Sequence, residues 1–433
     1  MKTSITSSLA ALVAVTLLLP SCGKTPLDKT PLSEDSPEGM IVVSVSPESG
    51  APTKAAASAV SGASAESAIS TLQVFVFYAE NNSGLGQSLG GKETDKYITF
   101  TGTDGSRSAT LTTTTGKKRV YAIANAPRLQ NVVSESDLRG RVLTLGDNLL
   151  EATGGRLGLT MAGAYGYLSG NAPVNVSSSD VTVLPYTQGS DASITTIPIS
   201  LHRLSARIEL QKIDVDFSGT WLEGLEFTLK EVYLKNIPNS VHATGQNADL
   251  LVAEGCWSNR LTPTASPVDG ASKDIKPLVY ESFGAGLSCN TAAGASTAVN
   301  SFFYCYPNPN TTDATAPTWS QRRTRLVIHG VISGTNAALG TDFSTPKDVY
   351  YPISIAAPEN YIAAGEGETS TTPASSATHS QIVGNHKYVI NKVTITSLGK
   401  SDDTNDDIIV SGKAKVEVSV QDWNGTTVLN FEM

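Results

Sequence analysis

The chain has 433 residues, of which 16% are charged and 40% hydrophobic, with 37 glycines and 21 prolines. A formal charge of −9 and a pI near 5.2 argue against a partner such as nucleic acid, whose phosphates demand a basic surface. Beyond the N-terminus no stretch approaches the roughly 18 consecutive apolar residues that a membrane-spanning helix needs. Low charge with abundant Gly, Ser and Thr, and few Glu/Lys/Leu-rich stretches, predicts an exported all-β protein.

Met1-Lys2 gives a positive start, and Leu9 to Leu19 is a run of apolar residues and Thr. The run is too short to cross a bilayer and predicts a signal peptide over residues 1–21. It ends in Leu19-Pro20-Ser21-Cys22-Gly23, which resembles the lipobox of bacterial lipoproteins. The resemblance implies that Cys22 is lipidated, palmitate included, and becomes the mature N-terminus on the outer membrane. Each buried CH₂ of such a chain contributes about 0.8 kcal/mol to anchoring. Pro26, Pro31 and Pro37 with interspersed charge cannot pack a core, so residues 22–39 read as an extended tether.

Period-two patterning begins at residue 40. Ile41, Val43 and Val45 alternate with Val42, Ser44 and Ser46, a short strand ended by Pro47. Gly50 to Ser70 is dominated by Ala, Ser and Gly and predicts a flexible loop. Strands are then expected at Leu72–Ala79, Tyr97–Thr101, Ser108–Thr114 and Arg119–Asn125, followed by a helical or irregular insert over Leu138–Met161. Further strands are expected at Ile197–Leu201, Ala206–Phe217, Leu225–Leu234, Leu278–Ser282, Phe302–Tyr306, Thr324–Ile332, Val349–Ile355, Lys387–Ser397 and Lys413–Asp422. Regular strands without strand–helix alternation predict β-sandwiches in tandem, one over residues 40–200 and one over 201–433.

The chain offers little chemistry. Gly86-Gln87-Ser88-Leu89-Gly90 has the spacing of a nucleophile elbow, but no apolar helical stripe follows it, and a loop between strands is expected. His202, His242, His329, His379 and His386 are scattered, and no two cysteines have zinc-site spacing. Asp403, Asn405 and Asp407 open like a calcium loop, but Ile408 stands where glycine is needed. The tryptophans read as buried sandwich residues, and two of Cys256, Cys289 and Cys305 are candidates for a disulfide. The expectation is therefore no enzyme, no metal and no cofactor.

The last strand stands out. Ala414, Val416, Val418 and Val420 alternate with Lys415, Glu417, Ser419 and Gln421, and Asn424-Gly425 marks a hairpin. Such a strand serves either its own sandwich or, as a donor, the sheet of another subunit.

Several fragments together resemble the fimbrillins, the type V pilin superfamily of Bacteroidetes-type bacteria. They are the lipobox at Cys22, Leu72-Gln-Val-Phe-Val-Phe-Tyr78, Val120-Tyr-Ala-Ile-Ala-Asn-Ala-Pro127, Met161-Ala-Gly163 and Arg203-Leu-Ser-Ala-Arg-Ile208. Next come Phe227-Thr-Leu-Lys-Glu-Val-Tyr-Leu-Lys-Asn-Ile-Pro238, Phe303-Tyr-Cys-Tyr-Pro-Asn308, Tyr350-Tyr-Pro-Ile353, Asn385-His-Lys-Tyr388 and a final Val-x-Val-x-x-x-Trp. The resemblance implies two transthyretin-like β-sandwich domains in tandem and export as a lipoprotein. It also implies assembly into a surface fimbrium after proteolysis removes the first strand, 40–46, with part of the loop 47–70.

The family's trypsin-like surface protease typically cuts after Arg, yet no Arg lies between Cys22 and Leu72. The basic residue in this loop is Lys54, so the expected cut falls between Lys54 and Ala55. The vacated groove would take residues 413–433 of a neighbour, with Ala414, Val416, Val418 and Val420 as donor side chains. Expected partners are further copies of the chain, and accessory or anchor subunits. An uncleaved anchor or accessory lipoprotein, or a surface glycan binder, is the alternative.

Overall fold

The computed structural model describes residues 38–47, 66–81, 83–102, 104–114, 118–153, 155–165, 195–235, 237–238, 240–245, 276–292, 294–308, 324–355, 382–401 and 414–422. The first part contains β1 (Glu38–Pro47), β2 (Thr71–Tyr78), β3 (Lys92–Thr99), β4 (Arg107–Thr114) and β5 (Lys118–Ala124). A short helix, α1 (Glu135–Gly140), leads to β6 (Val142–Thr144), β7 (Leu149–Thr153), β8 (Arg156–Gly158), β9 (Met161–Ala164) and β10 (Thr195–Arg203). Seven of these form one sheet in the order β3-β2-β5-β9-β10-β1-β4.

That sheet curls over its own core. Ile41, Val43 and Val45 of β1, Ala109 and Leu111 of β4, and Ile197, Ile199 and Leu201 of β10 pack with Leu72, Val74 and Val76 of β2 and Val120 and Ala122 of β5. The period-two apolar positions of each strand thus meet face to face, as alternation requires. Strand β2 is buried on both faces, because Phe75 and Phe77 pack outward against Tyr121, Val132, Leu138 and Leu143. This explains its unbroken apolar run.

The second part is a sandwich of two four-stranded sheets. One has the order β15-β11-β18-β19 and the other β14-β12-β16-β17. The strands are β11 (Ala206–Val215), β12 (Glu226–Lys235), β14 (Tyr280–Cys289), β15 (Ser296–Cys305), β16 (Arg325–Asn336), β17 (Thr341–Ser354), β18 (His386–Ile395) and β19 (Ala414–Asp422). Their facing sides share one core, including Ile208, Leu210 and Ile213 of β11 with Phe227, Leu229 and Val232 of β12. Strand β13 (Ser240–His242) leaves this part to pair with β6. The all-β, tandem architecture expected from the sequence holds.

Four expectations need correction. The Leu138–Met161 insert is only partly helical or irregular: after the end of α1 it holds three short strands, β6 to β8, and a 3₁₀ turn at Leu145–Asp147. The strand expected at Leu278–Ser282 is preceded by a helical turn, Lys276–Val279, and runs on to Cys289. Strand β3 lies at Lys92–Thr99 rather than Tyr97–Thr101; it is an edge strand whose polar side chains need no apolar alternation. Trp221 is exposed, not buried, and lies against Phe343 with ring centroids 6.0 Å apart. It sits in the turn between β11 and β12, where no second sheet covers it.

The outer face of the β12–β16–β17 sheet carries one titratable cluster. His329 Nδ1 lies 3.2 Å from Glu231 Oε2 and Nε2 lies 3.0 Å from Asp348 Oδ1, with the ring stacked on Tyr350 at 4.3 Å. Tyr280 donates to the other Glu231 oxygen at 2.6 Å. Burial lowers the His329 pKa, but hydrogen bonds and charge from Glu231 and Asp348 outweigh it and raise the value above 6.5.

A folded-state pKa above the unfolded one gives stability that is complete below the unfolded value and lost as pH rises through the folded one. Thermal stability is therefore expected to decline over the range from the unfolded-state value near pH 6.5 up through the raised folded-state one, and His329→Gln should flatten that decline. A melting-temperature difference between parent and variant that is the same at both ends of this range would contradict the assignment.

Candidate functional site

The N-terminal strand sits in a slot. Strand β1 pairs in parallel with β10, from Ile41 opposite Thr195 to Pro47 opposite Leu201. On its other side it pairs antiparallel with β4, from Glu38 opposite Thr114 to Val45 opposite Arg107. Its apolar face, Ile41, Val43 and Val45, is buried. Burying three such side chains contributes roughly 1.5–3 kcal/mol each before ordering costs. Withdrawal of β1 would open two backbone edges and an apolar strip together, and both are costly in water.

The C-terminal strand is held differently. β19 pairs antiparallel with β18, from His386 opposite Asp422 to Ile395 opposite Ala414, and among the described residues forms the edge of its sheet. The expected donor positions Ala414, Val416, Val418 and Val420 all lie on this strand, which here completes its own sandwich. Cys22, Lys54 and Ala55 lie outside the described residues, as do Cys256 and the Asp403–Asp407 turn. Cys289 and Cys305 are both buried and unbonded, and burial pushes the Cys305 thiol up to about 12. The Gly86–Gly90 sequence lies in the β2–β3 connection with a strand, not a helix, after it. Among the described residues no group of three His, Cys, Asp or Glu side chains is placed to hold a metal ion.

A second feature escaped sequence reading: a buried polar seam where the two parts of the chain meet. Its centre is Glu66, the first described residue after the 48–65 stretch. Its Oε1 accepts from Arg207 Nη1 and, at 2.5 Å, from the Tyr304 hydroxyl. Arg207 Nε lies 2.7 Å from Glu209 Oε1, and Lys387 Nζ lies 3.4 Å from the same oxygen. The Arg207 guanidinium also stacks over Phe302 at 4.7 Å. Arg203 Nε donates to the Glu66 carbonyl at 2.8 Å, and the Arg203 backbone N–H donates to Asn385 Oδ1 at 3.2 Å. Burial, and then the Glu66 charge, push the Tyr304 hydroxyl far upward, so it remains a donor at every physiological pH. Arg203, Arg207, Tyr304 and Asn385 all come from the fragments that carry the family resemblance. Glu66 had no signal of its own, since a lone acid in an Ala/Ser-rich loop looks like a solvated residue.

Residues 40–203, from β1 through β10, match the family described as major fimbrial subunit protein (FimA), which bears out the fimbrillin resemblance over that stretch. Among solved structures, a candidate cell adhesion protein of Parabacteroides distasonis ATCC 8503 superposes with a TM-score of 0.53 at 19% identity, covering 90% of this chain and 99% of its own. A fimbrilin of Porphyromonas gingivalis W83 gives a TM-score of 0.51 at 15% identity, covering 89% and 98%. At those identities the likeness is one of fold. Among curated proteins no sequence match was found.

Proposed function

We propose that this chain is a structural pilin subunit of a cell-surface fimbrium that serves adhesion. It is exported as a lipoprotein on Cys22 and held to the outer membrane until a trypsin-like surface protease cuts between Lys54 and Ala55. The cut frees β1, and residues 413–433 of a neighbouring copy, led by Ala414, Val416, Val418 and Val420, take its place.

The observation that carries this reading is the inequality of the two strands. Among the described residues β1 is flanked by two ladders, while β19 has one and lies at the edge of its sheet. A β19 that leaves β18 for a vacant slot exchanges one ladder for two, and its period-two apolar row suits the strip left by Ile41, Val43 and Val45. Each copy holds both slot and donor, so the contact is head-to-tail and propagates as an open filament. The fimbrial-subunit match over residues 40–203 contains all three slot strands.

The test is the N-terminus of protein sheared from the cell surface, read together with assembly of Val418→Asp. Mature protein should begin at Ala55, and folded, cleaved Val418→Asp, checked by circular dichroism, should stay monomeric. A mature chain beginning at Cys22 would instead identify an uncleaved anchor or accessory lipoprotein. Filaments built by Val418→Asp as well as by the parent would mean that another strand is the donor.

A further inference from the structure

The slot needs two walls, and one of them has an unusual attachment. Strand β4 has backbone pairing with β1 and, among the described residues, with no other strand. It should therefore come adrift when β1 departs. Strand β10 runs parallel to β1 and β4 antiparallel, so β4 and β10 are antiparallel to each other. Moving β4 by one strand spacing, about 4.8 Å, would let their backbones pair and erase the slot. Such closure would satisfy the exposed backbone groups and is the default fate of two open edges.

Side chains oppose it. The Glu93 carboxylate of β3 reaches across the gap between the two ends of the sheet. It accepts from the Thr114 backbone N–H at 2.5 Å, the Thr114 hydroxyl at 2.7 Å and the Thr113 hydroxyl at 2.7 Å. Lys118 Nζ, at the start of β5, closes the cluster 2.6 Å from Glu93 Oε2, and both side chains are buried. Lys118 also lies over the Tyr78 ring at 4.2 Å. Midway along β4, Lys96 Nζ donates to the Thr110 carbonyl at 2.9 Å. At the other end Arg107 donates to the carbonyls of Ile69 at 3.1 Å and Thr101 at 3.0 Å. These ties fall at residues 107, 110 and 113–114, spaced along the whole strand, and none involves β1.

We propose that Glu93, with Lys118, Thr113 and Thr114, is a staple that holds β4 against β3, so that the slot stays open and ready for an incoming strand after β1 has gone. The proposal rests on the strand-exchange reading, since it concerns the state between loss of β1 and capture of the donor. The class of partner follows from the walls: an extended segment with apolar side chains at period two, running parallel to β10.

The test uses the full chain with a site for a sequence-specific protease inserted after Lys54. The chain is nicked, β1 is stripped in mild urea, and capture of a fluorescent peptide of residues 38–47 is followed by anisotropy. With the staple intact the observed rate should rise in proportion to peptide concentration, as for an open site. In Glu93→Leu/Lys118→Met, which removes the ion pair without leaving a buried charge, β4 should close on β10. Capture should then be slowed about tenfold, in line with a small open fraction, and should level off with peptide concentration as reopening becomes limiting. Should that variant fail to fold uncut, Thr113→Val/Thr114→Val removes the two hydroxyl ties, keeps the ion pair and must show the same levelling-off. Proportional rates within twofold of the parent in the folded variant would overturn the proposal. Competition by an unlabelled peptide of residues 414–422 reads the donor assignment separately: its failure would sink strand exchange by that segment and leave the staple result standing.

Discussion

Arg207→Ala is expected to remove about 5 kcal/mol of folding stability, the upper part of the range for breaking a buried ion pair. Arg207 is fully buried and lies between the carboxylates of Glu66 and Glu209, both buried with it. Truncation leaves two acids facing each other without that guanidinium, and it also removes the stack on Phe302. Glu66→Ala should cost less, about 3 kcal/mol, because Glu209 still faces Arg207. Glu66→Gln preserves an acceptor for the Tyr304 hydroxyl and should fall below Glu66→Ala. Urea unfolding of the full chain measures all three. A loss under about 1 kcal/mol for Arg207→Ala, the level of an exposed pair, would mean that the seam does not hold the two parts together.

The seam has a consequence for processing. Under the proposed function a cut at Lys54 leaves a new chain end only a short distance before Glu66. Glu66 anchors that end to β11 and β15 through Arg207 and Tyr304, while Arg203 grips its carbonyl. The cut would then release β1 on one side and leave β2 docked on the other. Under that proposal the seam and the staple would together hold the first sheet against the loss of one of its inner strands.

How far the sequence disclosed this depended on what each strand faces. β1, β5 and β11 were legible because one or both faces are buried, so apolar residues mark them directly. β3 was misplaced because Lys92-Glu-Thr-Asp-Lys96 carries no apolar period; Glu93 and Lys96 tie to β4 instead, and Lys92 pairs with Asp95 within the strand. β17 begins at Thr341, well before its apolar half, because Thr341–Phe343 pair with Gly334–Asn336 and Lys347–Asp348 with Val331–Ile332, which carries the ladder past a register shift. The polar seam was visible only as scattered fragments of a resemblance. Pairing Glu66 with Arg207 and Tyr304 takes a fold, since the partners are separated by 141 and 238 positions. The same holds for Glu93 and Thr113. Hydrophobic period encodes layers; long-range polar partners carry no period to read.

Asn125→Ala is the second substitution expected to act strongly, at about 4 kcal/mol, from backbone strain of about 1 kcal/mol plus buried groups left without partners. Asn125 ends β5 with φ at 58°, in the left-handed region that asparagine tolerates better than alanine. Its Oδ1 accepts from the Ser70 backbone N–H at 2.9 Å and from the Ser70 hydroxyl at 3.2 Å. Its Nδ2 donates to the carbonyls of Ala68 at 2.7 Å and Leu159 at 3.0 Å. One buried amide thus fastens the lead-in to β2 and the approach to β9, and Gly158 leaves it room, since a Cβ there would come within 2.3 Å of Nδ2. Asn125→Gly relieves the backbone strain but makes none of these bonds, so it should recover only about 1 kcal/mol relative to alanine. Asn125→Asp retains the acceptor for Ser70 but sets a carboxylate against the carbonyls of Ala68 and Leu159, and should also be costly. Hydrogen exchange at residues 68–71 should accelerate in all three variants ahead of global unfolding, because the lost bonds are local to that segment. Stability within about 1 kcal/mol of the parent for both Asn125→Ala and Asn125→Gly, with exchange at 68–71 unchanged, would show that the ladder between β2 and β5 fixes this segment without the amide.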